Sequence, residues 1–386
     1  MTKSLVGIVG SGLLGADPFD RRTWSGSSYH FFSTLKARGR LHRAFGVEAP
    51  KWRRRWLMAK NFYPRRATWR RRYHLDLDYR RALTAEVSRR LTPDDFEHDF
   101  LQVGAFYDVP SLRRGAARCF SYHDGNLAVS LRSPNSPPNI GAKVIDRALA
   151  FERDLYSRLD RMFTMSEFIR QSFIKDFDVS PDKVVAVGGG MNLETMPDPL
   201  PGKRYDADEI LFIGIEFERK GGWELLEAFR IVRERRPKAK LHIVGPRELA
   251  VPDNLAGGVM YHGYLSKSDP VSKAKLDALF RSASLFVMPS RYEPFGIAPL
   301  EAMVYEVPAV VTGQWALREL VTPGETGAHV ECGDVEGIAA TLTSLLADPD
   351  ALARMGRAGR QYVLSRYTWD RVVDRLLAHL PADSAR

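Results

Sequence analysis

Short apolar runs alternate with amphipathic stretches along most of the chain, in two series separated by a proline-rich segment. Leu5–Val9, Phe100–Val103, Arg118–Tyr122, Phe163–Met165 and Val184–Val187 read as strands of the first series, with helices over Ser27–Arg38 and Glu167–Asp176. Ile210–Ile213, Lys240–Val244, Leu285–Met288 and Ala309–Val311 read as strands of the second. Its helices fall over Trp223–Glu234, Ser272–Arg281, Leu300–Tyr305, Val335–Leu346 and Pro349–Ser365. Runs this short suit strands buried on both faces. Strands alternating with helices predict right-handed βαβ units and parallel sheets, and so an α/β protein with two doubly wound domains. The boundaries expected are 1–196 for the first domain, 197–208 for a linker and 209–368 for the second domain. The linker carries Pro197, Pro199 and Pro201 followed by Gly202. Residues 369–386 contain a closing amphipathic helix, Asp370–Leu380, expected to pack back toward the first domain. Ligands of such sheets bind beyond the carboxyl ends of the strands, so the crevice between the domains is the expected site.

Charge is concentrated rather than spread. The net charge is +10, and Lys51 to Arg90 holds 14 basic and 3 acidic residues, a local balance of +11. Trp52, Trp56, Phe62, Tyr63, Trp69, Tyr73 and Tyr79 are interleaved with them. Two readings stay open: a solvated helical surface whose aromatics anchor in the core, or a surface for an anionic membrane or acidic acceptor. No recognised nucleic-acid-binding module surrounds the patch, so nucleic acid is not an expected partner. Cys119 and Cys332 lie far apart, which excludes a disulfide framework and a cysteine-rich metal site. No run approaches the ~18 apolar residues of a membrane span, and the first residues lead straight into a strand without a signal peptide's apolar region. The expected location is cytoplasmic, with peripheral contact on the inner membrane face as the alternative role of 51–90.

Gly10-Ser-Gly12-Leu-Leu-Gly15 is a literal GxGxxG after a strand. Dinucleotide binding would need a helix opening at the third glycine and an acidic residue ~20 positions on. The loop instead continues through Asp17-Pro18-Phe19-Asp20, and the first later carboxylate is Glu48. An NAD(P)-dependent oxidoreductase is therefore a minor alternative. Gly26, in Trp24-Ser25-Gly26-Ser27, stands where the first helix begins and offers backbone amides to an anion.

The strongest signal is Ser290-Arg-Tyr-Glu293-Pro294-Phe295-Gly296-Ile297-Ala-Pro299-Leu-Glu301. It follows a strand and must enter a helix by the turn containing Pro299, because proline is tolerated only in a first turn. The amides of Phe295, Gly296 and Ile297 then lie at the positive end of a helix dipole, which suits a phosphate or sugar hydroxyl. Glu293 and Glu301 bracket this terminus, and eight helical residues rise ~12 Å. That is about the reach from a sugar ring across a diphosphate to a ribose.

Glu293 and Glu301 resemble the E-x7-E signature of retaining nucleotide-sugar glycosyltransferases of the GT-B architecture, two Rossmann-like domains facing across a cleft, and particularly glycosyltransferase family 4. Leu211-Phe-Ile-Gly214-Ile-Glu-Phe-Glu-Arg219-Lys220-Gly221-Gly222 resembles the family's strand–glycine–basic–helix element. His242-Ile-Val-Gly245, Tyr261-His-Gly263-Tyr264 and Glu319-Leu-Val-Thr-Pro-Gly324-Glu-Thr-Gly327 are similar to its glycine-bearing positions. Met165-Ser166-Glu167 and Gly190-Met-Asn192 resemble it more loosely, so the likeness covers most of 160–370. The resemblance implies that Glu293 contacts the transferred sugar, Glu301 the nucleotide ribose, and Lys220 the donor diphosphate. Donor contacts are implied at Gly214, Gly263, Tyr264 and Pro294 through Ile297, and the helix-start amides at Gly26 are a further expected donor contact. The family's arginine after the first glycine is Ile215 here, which leaves Arg219 as the second cation. His123, in Tyr122-His123-Asp124-Gly125-Asn126, resembles the histidine at the edge of the family's sugar site.

Cleaving a sugar–phosphate bond places negative charge on the departing diphosphate, which a lysine, an arginine and helix-end amides can stabilise. A metal site would need a carboxylate cluster such as DxD. The four literal matches, Asp76/Asp78, Asp176/Asp178, Asp206/Asp208 and Asp348/Asp350, fall away from the carboxyl ends of the expected strands. The reading is a metal-independent retaining glycosyltransferase without a cofactor, taking a UDP-sugar or GDP-sugar as substrate, with an unidentified acceptor. A nucleotide-sugar epimerase or phosphorylase on the same fold is the alternative.

Overall fold

The computed structural model describes residues 3–10, 17–134 and 136–381. The candidate glycine motif after the first strand thus falls largely outside the described residues, since only Gly10 of it is included. The chain divides into two compact units, 1–190 with 369–386, and 191–368.

Unit 1 is built on six parallel strands: β1 (Leu5–Gly10), β2 (Leu41–Val47), β3 (Asp99–Val103), β4 (Cys119–His123), β5 (Arg161–Thr164) and β6 (Val184–Ala186). Their order is β2-β1-β3-β4-β5-β6. Leu5, Val6 and Ile8 are wholly buried, as a strand covered by helices on both faces requires. Strand order reverses beside β1, where crossovers leave for β2 on one side and β3 on the other. The helices are α1 (Ser27–Ala37), α2 (Lys51–Lys60), α3 (Arg66–Leu75), α4 (Leu77–Arg90), α5 (Leu127–Arg132), α6 (Ala142–Arg158) and α7 (Glu167–Phe177).

Unit 2 repeats the plan with β7 (Glu209–Ile213), β8 (Lys240–Val244), β9 (Val259–Tyr261), β10 (Leu285–Met288), β11 (Ala309–Thr312) and β12 (Gly327–Val330). The order is β12-β11-β10-β7-β8-β9, again all parallel. Here the reversal lies between β7 and β10, which pair directly through Leu285 with Ile210 and Phe286 with Leu211. Its helices are α8 (Gly222–Arg235), α9 (Pro270–Ser282), α10 (Ile297–Val304), α11 (Leu317–Leu320), α12 (Val335–Leu346) and α13 (Pro349–Arg366). The proline-rich stretch is held onto this unit: Arg360 donates to Pro197 O at 2.6 Å, Lys203 to Phe280 O at 3.0 Å and Tyr205 to Glu306 O at 2.7 Å.

The closing helix α14 (Trp369–Ala378) belongs to unit 1. It buries Val372, Val373 and Leu376, pairs Asp374 with Arg38 at 3.0 Å, and lays Trp369 beside Phe31.

One buried ion pair ties the helices of unit 1 together. Arg80 on α4 is 1% exposed, and its Nη2 donates to Glu152 Oε1 on α6 at 3.0 Å. The other Glu152 oxygen accepts from the Tyr156 hydroxyl at 2.8 Å and the Leu127 amide at 3.1 Å. Removing one partner of such a pair strands a buried charge, so Glu152→Ala should cost about 3–5 kcal/mol in chemical denaturation. A loss below about 1 kcal/mol would mean that Arg80 finds water or another acceptor.

Candidate functional site

The switch point of the second sheet places two loops side by side, and Gly214, Arg219, Lys220 and Glu293 through Gly296 lie on them. Crossovers leave β7 and β10 in opposite directions, so a crevice opens at their carboxyl ends. The β7–α8 loop runs from Gly214 to Gly221, and the β10–α10 loop from Pro289 to Gly296. They are stitched together by the Arg291 amide donating to Arg219 O at 2.9 Å. Gly221 makes this approach feasible: its φ is +74°, and a Cβ there would lie 2.1 Å from Pro289 O. Gly214 likewise yields space to the Lys220 side chain, whose Cδ would sit 2.2 Å from an added Cβ.

Lys220 therefore reaches across the switch point. Its Nζ lies 2.7 Å from Glu293 Oε2 and 3.3 Å from Met288 Sδ. Arg219 Nη1 stands 3.4 Å from the same Glu293 oxygen and donates to Tyr292 O at 2.6 Å. Arg219 also pairs with Glu216 at 2.7 Å. Glu293 is 7% exposed. Burial alone would push its carboxyl up, but the charges of Lys220 and then Arg219 outweigh this and hold it below the usual carboxylate range. Burial acts first on Arg219 as well, lowering it, and Glu293 and Glu216 more than reverse the effect.

Helix α10 begins at Ile297, with Gly296 as its cap at φ +103° and Pro299 inside the first turn. Phe295 and Glu293 thus lie just before a helix N-terminus, the end that carries roughly half a positive charge. Glu301, one turn into α10, is 3% exposed and pairs with Lys267 from the loop after β9. That same loop carries Gly263, whose carbonyl accepts from the Gly245 amide at 2.9 Å, and Tyr264, 44% exposed with Arg247 over its ring at 5.0 Å. Ile215 is 60% exposed at the mouth of the β7–α8 loop.

Two contributors were not foreseen. Lys267 stands in Ser266-Lys267-Ser268, where nothing distinguishes it from any surface lysine. Ser290 is wholly buried between β10 and Glu293, and its Oγ has no hydrogen-bond partner among the described residues. Its position at a strand's carboxyl end was the available signal.

Gly26 and His123 belong to unit 1. Gly26 caps α1 at φ +92° after two further left-handed residues, Trp24 and Ser25. The Trp24 indole donates to Asp124 at 2.7 Å, which ties this cap to the residue after His123. His123 ends β4 at 1% exposure, against Phe173 and Tyr156, with Nε2 2.8 Å from Ser121 Oγ. Burial pushes its ring down to about 3, so at neutral pH it is an uncharged hydrogen-bonding group. Its Nδ1 has no partner among the described residues.

Each aspartate pair has at least one carboxylate already committed. Asp76 binds Asn61 at 2.7 Å, Asp176 binds Arg132 at 2.7 Å, Asp208 binds Arg236 at 2.7 Å, and Asp348 caps α13. Among the described residues the one group with metal-binding geometry is His42, Asp94 and His98, whose ligand atoms lie within 4.8 Å of one another. His42 is near the start of β2 and His98 directly precedes β3, at the amino edge of the first sheet.

Comparison with known proteins agrees with this architecture. Residues 201–362 match the family model of glycosyl transferases group 1. Glycogen synthase of Mycobacterium tuberculosis is 29% identical over 279 residues, spanning 71% of this chain and 64% of that protein. D-inositol 3-phosphate glycosyltransferase of Streptomyces scabiei is 29% identical over 60% of this chain and 55% of its own length. The chain thus spans somewhat less than two thirds of these curated relatives. Among solved structures, sucrose-phosphate synthase from Thermosynechococcus elongatus superposes with TM-score 0.71 at 16% identity, over 97% of this chain and 98% of that one. Anabaena Alr3699/HepE, in complex with UDP and glucose, reaches 0.62 at 14% identity over 98% and 100%. The fold is GT-B.

The depressed carboxyl of Glu293 has a pH consequence. A group whose pKa is lowered on folding stabilises fully above its unfolded value, about 4.3, and loses that contribution as pH falls through the folded value. Thermal unfolding followed from pH 6 to pH 3 should therefore fall less steeply for Glu293→Gln than for the wild-type protein. Parallel slopes would show that Glu293 is not held by the two cations.

Proposed function

We propose that the protein transfers a sugar from a nucleoside-diphosphate-sugar to an acceptor, with retention of anomeric configuration and without a metal ion. The observation that carries this reading is the convergence of Lys220 and Arg219 on Glu293 at the switch point of the second sheet. In the reaction a glycosidic C–O bond to the donor phosphate breaks and one to the acceptor oxygen forms. The departing diphosphate keeps the electron pair, and the acceptor gives up its proton. Lys220 and Arg219 supply positive charge where the diphosphate accumulates negative charge, and the start of α10 adds its dipole. In a site shielded from water such fixed charges act more strongly than in bulk.

Glu293, kept ionised by its neighbours, accepts hydrogen bonds from sugar hydroxyls. Glu301 does the same for the ribose, with Lys267 holding its carboxylate in place. The exposed ring of Tyr264 offers a face to the base. The group 1 match over 201–362 and the UDP held by Alr3699/HepE support this assignment of the donor to unit 2. Retention rests on the E-x7-E resemblance. Metal independence rests on the two cations, together with the prior commitment of the aspartate pairs.

The test is product analysis on a panel of UDP- and GDP-sugars with candidate acceptors. Free nucleoside diphosphate should appear only when an acceptor is present, the product should carry the donor's anomeric configuration, and EDTA should leave the rate unchanged. Lys220→Ala should lower kcat by about 10²–10³, the size of losing one electrostatic stabiliser. An altered sugar still attached to nucleotide, formed without acceptor, would establish an epimerase instead. Near wild-type turnover by Lys220→Ala would overturn the diphosphate assignment.

A further inference from the structure

The segment 51–90 resolves into helices α2, α3 and α4, and its aromatics, the half-buried Tyr63 apart, divide into two groups. Tyr73 and Tyr79 are buried at 9% and 2% exposure, and the Trp69 indole donates to Met58 O at 2.8 Å. These anchor the helices. Trp52, Trp56 and Phe62 do the reverse, at 70%, 53% and 63% exposure. Trp52 and Trp56 are four residues apart and so share one face of α2. Leu57 is the one residue of α2 that is fully buried. Lys51, Arg54, Arg55 and Lys60 are exposed on the same helix, and Arg65 and Arg66, also exposed, follow Phe62 after Tyr63 and Pro64. Lys60 is spent on Asp76 and Asp78, but among the described residues no carboxylate pairs with Lys51, Arg54, Arg55, Arg65 or Arg66.

We propose that α2 and the turn after it form a docking surface for an anionic lipid bilayer. A helix that turns tryptophans and unpaired arginines outward together matches the membrane interface, where amphipathic rings sit at headgroup level and basic residues meet anionic lipid. Lysine and arginine stems add apolar surface while their charged ends stay wet. A single-stranded nucleic acid would also use aromatics and cations, but within a groove that tracks its backbone. Rings this exposed project from the surface instead of lining a groove. Helix α2 begins just after the carboxyl end of the edge strand β2.

The test uses the full chain and vesicles of phosphatidylcholine alone or mixed with phosphatidylglycerol, read by co-sedimentation and tryptophan fluorescence. Wild-type protein should bind the mixed vesicles at low salt with a blue-shifted emission, and bind plain phosphatidylcholine at least tenfold more weakly. Each basic residue near the lipid is worth about fivefold in affinity, so Arg54→Gln with Arg55→Gln should cost about 25-fold. Trp52→Ser with Trp56→Ser should remove the blue shift and weaken binding about tenfold or more. Circular dichroism of both variants should match the wild type, and their nucleoside-diphosphate affinity should be unchanged. No binding to mixed vesicles at low salt, or binding that both double variants retain, would overturn the proposal. So would displacement of the vesicles by a single-stranded oligonucleotide at equal charge concentration. These readouts do not involve turnover, so they stand or fall apart from the donor assignment.

Discussion

A carboxylate buried between two cations is the contact on which the arrangement of unit 2 turns. Glu293 comes from the loop after β10, and Lys220 and Arg219 from the loop after β7. These strands are neighbours only because strand order reverses between them. The ion pair thus depends on the topology of the sheet, and the sheet's two halves are clasped at their carboxyl edge by that pair. A buried charge of either sign alone would be costly, and together they are tolerable because each satisfies the other. Gly214 and Gly221 are the steric conditions for the contact, since side chains there would strike Lys220 or Pro289.

Under the proposed function the same cluster has a second state. An incoming diphosphate offers Lys220 and Arg219 a more highly charged partner, and Glu293 is then free to turn its hydrogen-bonding capacity toward a sugar. The cations are already oriented by the carboxylate before the ligand arrives, which reduces the ordering that binding requires. Glu301 and Lys267 repeat the principle one turn into α10, with a buried carboxylate held by a lysine from a neighbouring loop.

How much of this could be read from residues alone depended on how local each signal was. The buried strands β7, β8 and β10 were legible as short apolar runs, and the start of α10 to within a turn from Pro299, although the helix expected over Leu300–Tyr305 begins at Ile297. Glu293 was legible as a carboxylate between a strand end and a helix start, and Lys220 only through the resemblance of its segment to the family's strand–glycine–basic–helix element. The arginine-dense α2 and α3 were not delimited as helices, because few apolar residues mark a period there. Strand β2 was missed because it is an edge strand whose first half is only partly buried. The aromatics of 51–90 could not be sorted into core and surface, since the same residue types serve both and burial decides. Lys267 was invisible for a related reason: its significance lies in Glu301, the carboxylate that the fold brings to it.

Calorimetric titration of UDP and of GDP into the wild-type protein and into Lys220→Met tests the central claim most directly. If the paired cations form the seat of a diphosphate, one of the two nucleotides binds the wild type, and the substitution weakens that binding at least tenfold while the protein stays folded. Equal affinity in both proteins would show that the Lys220–Glu293 contact is only an internal clasp of the sheet, and the account of this site would fail.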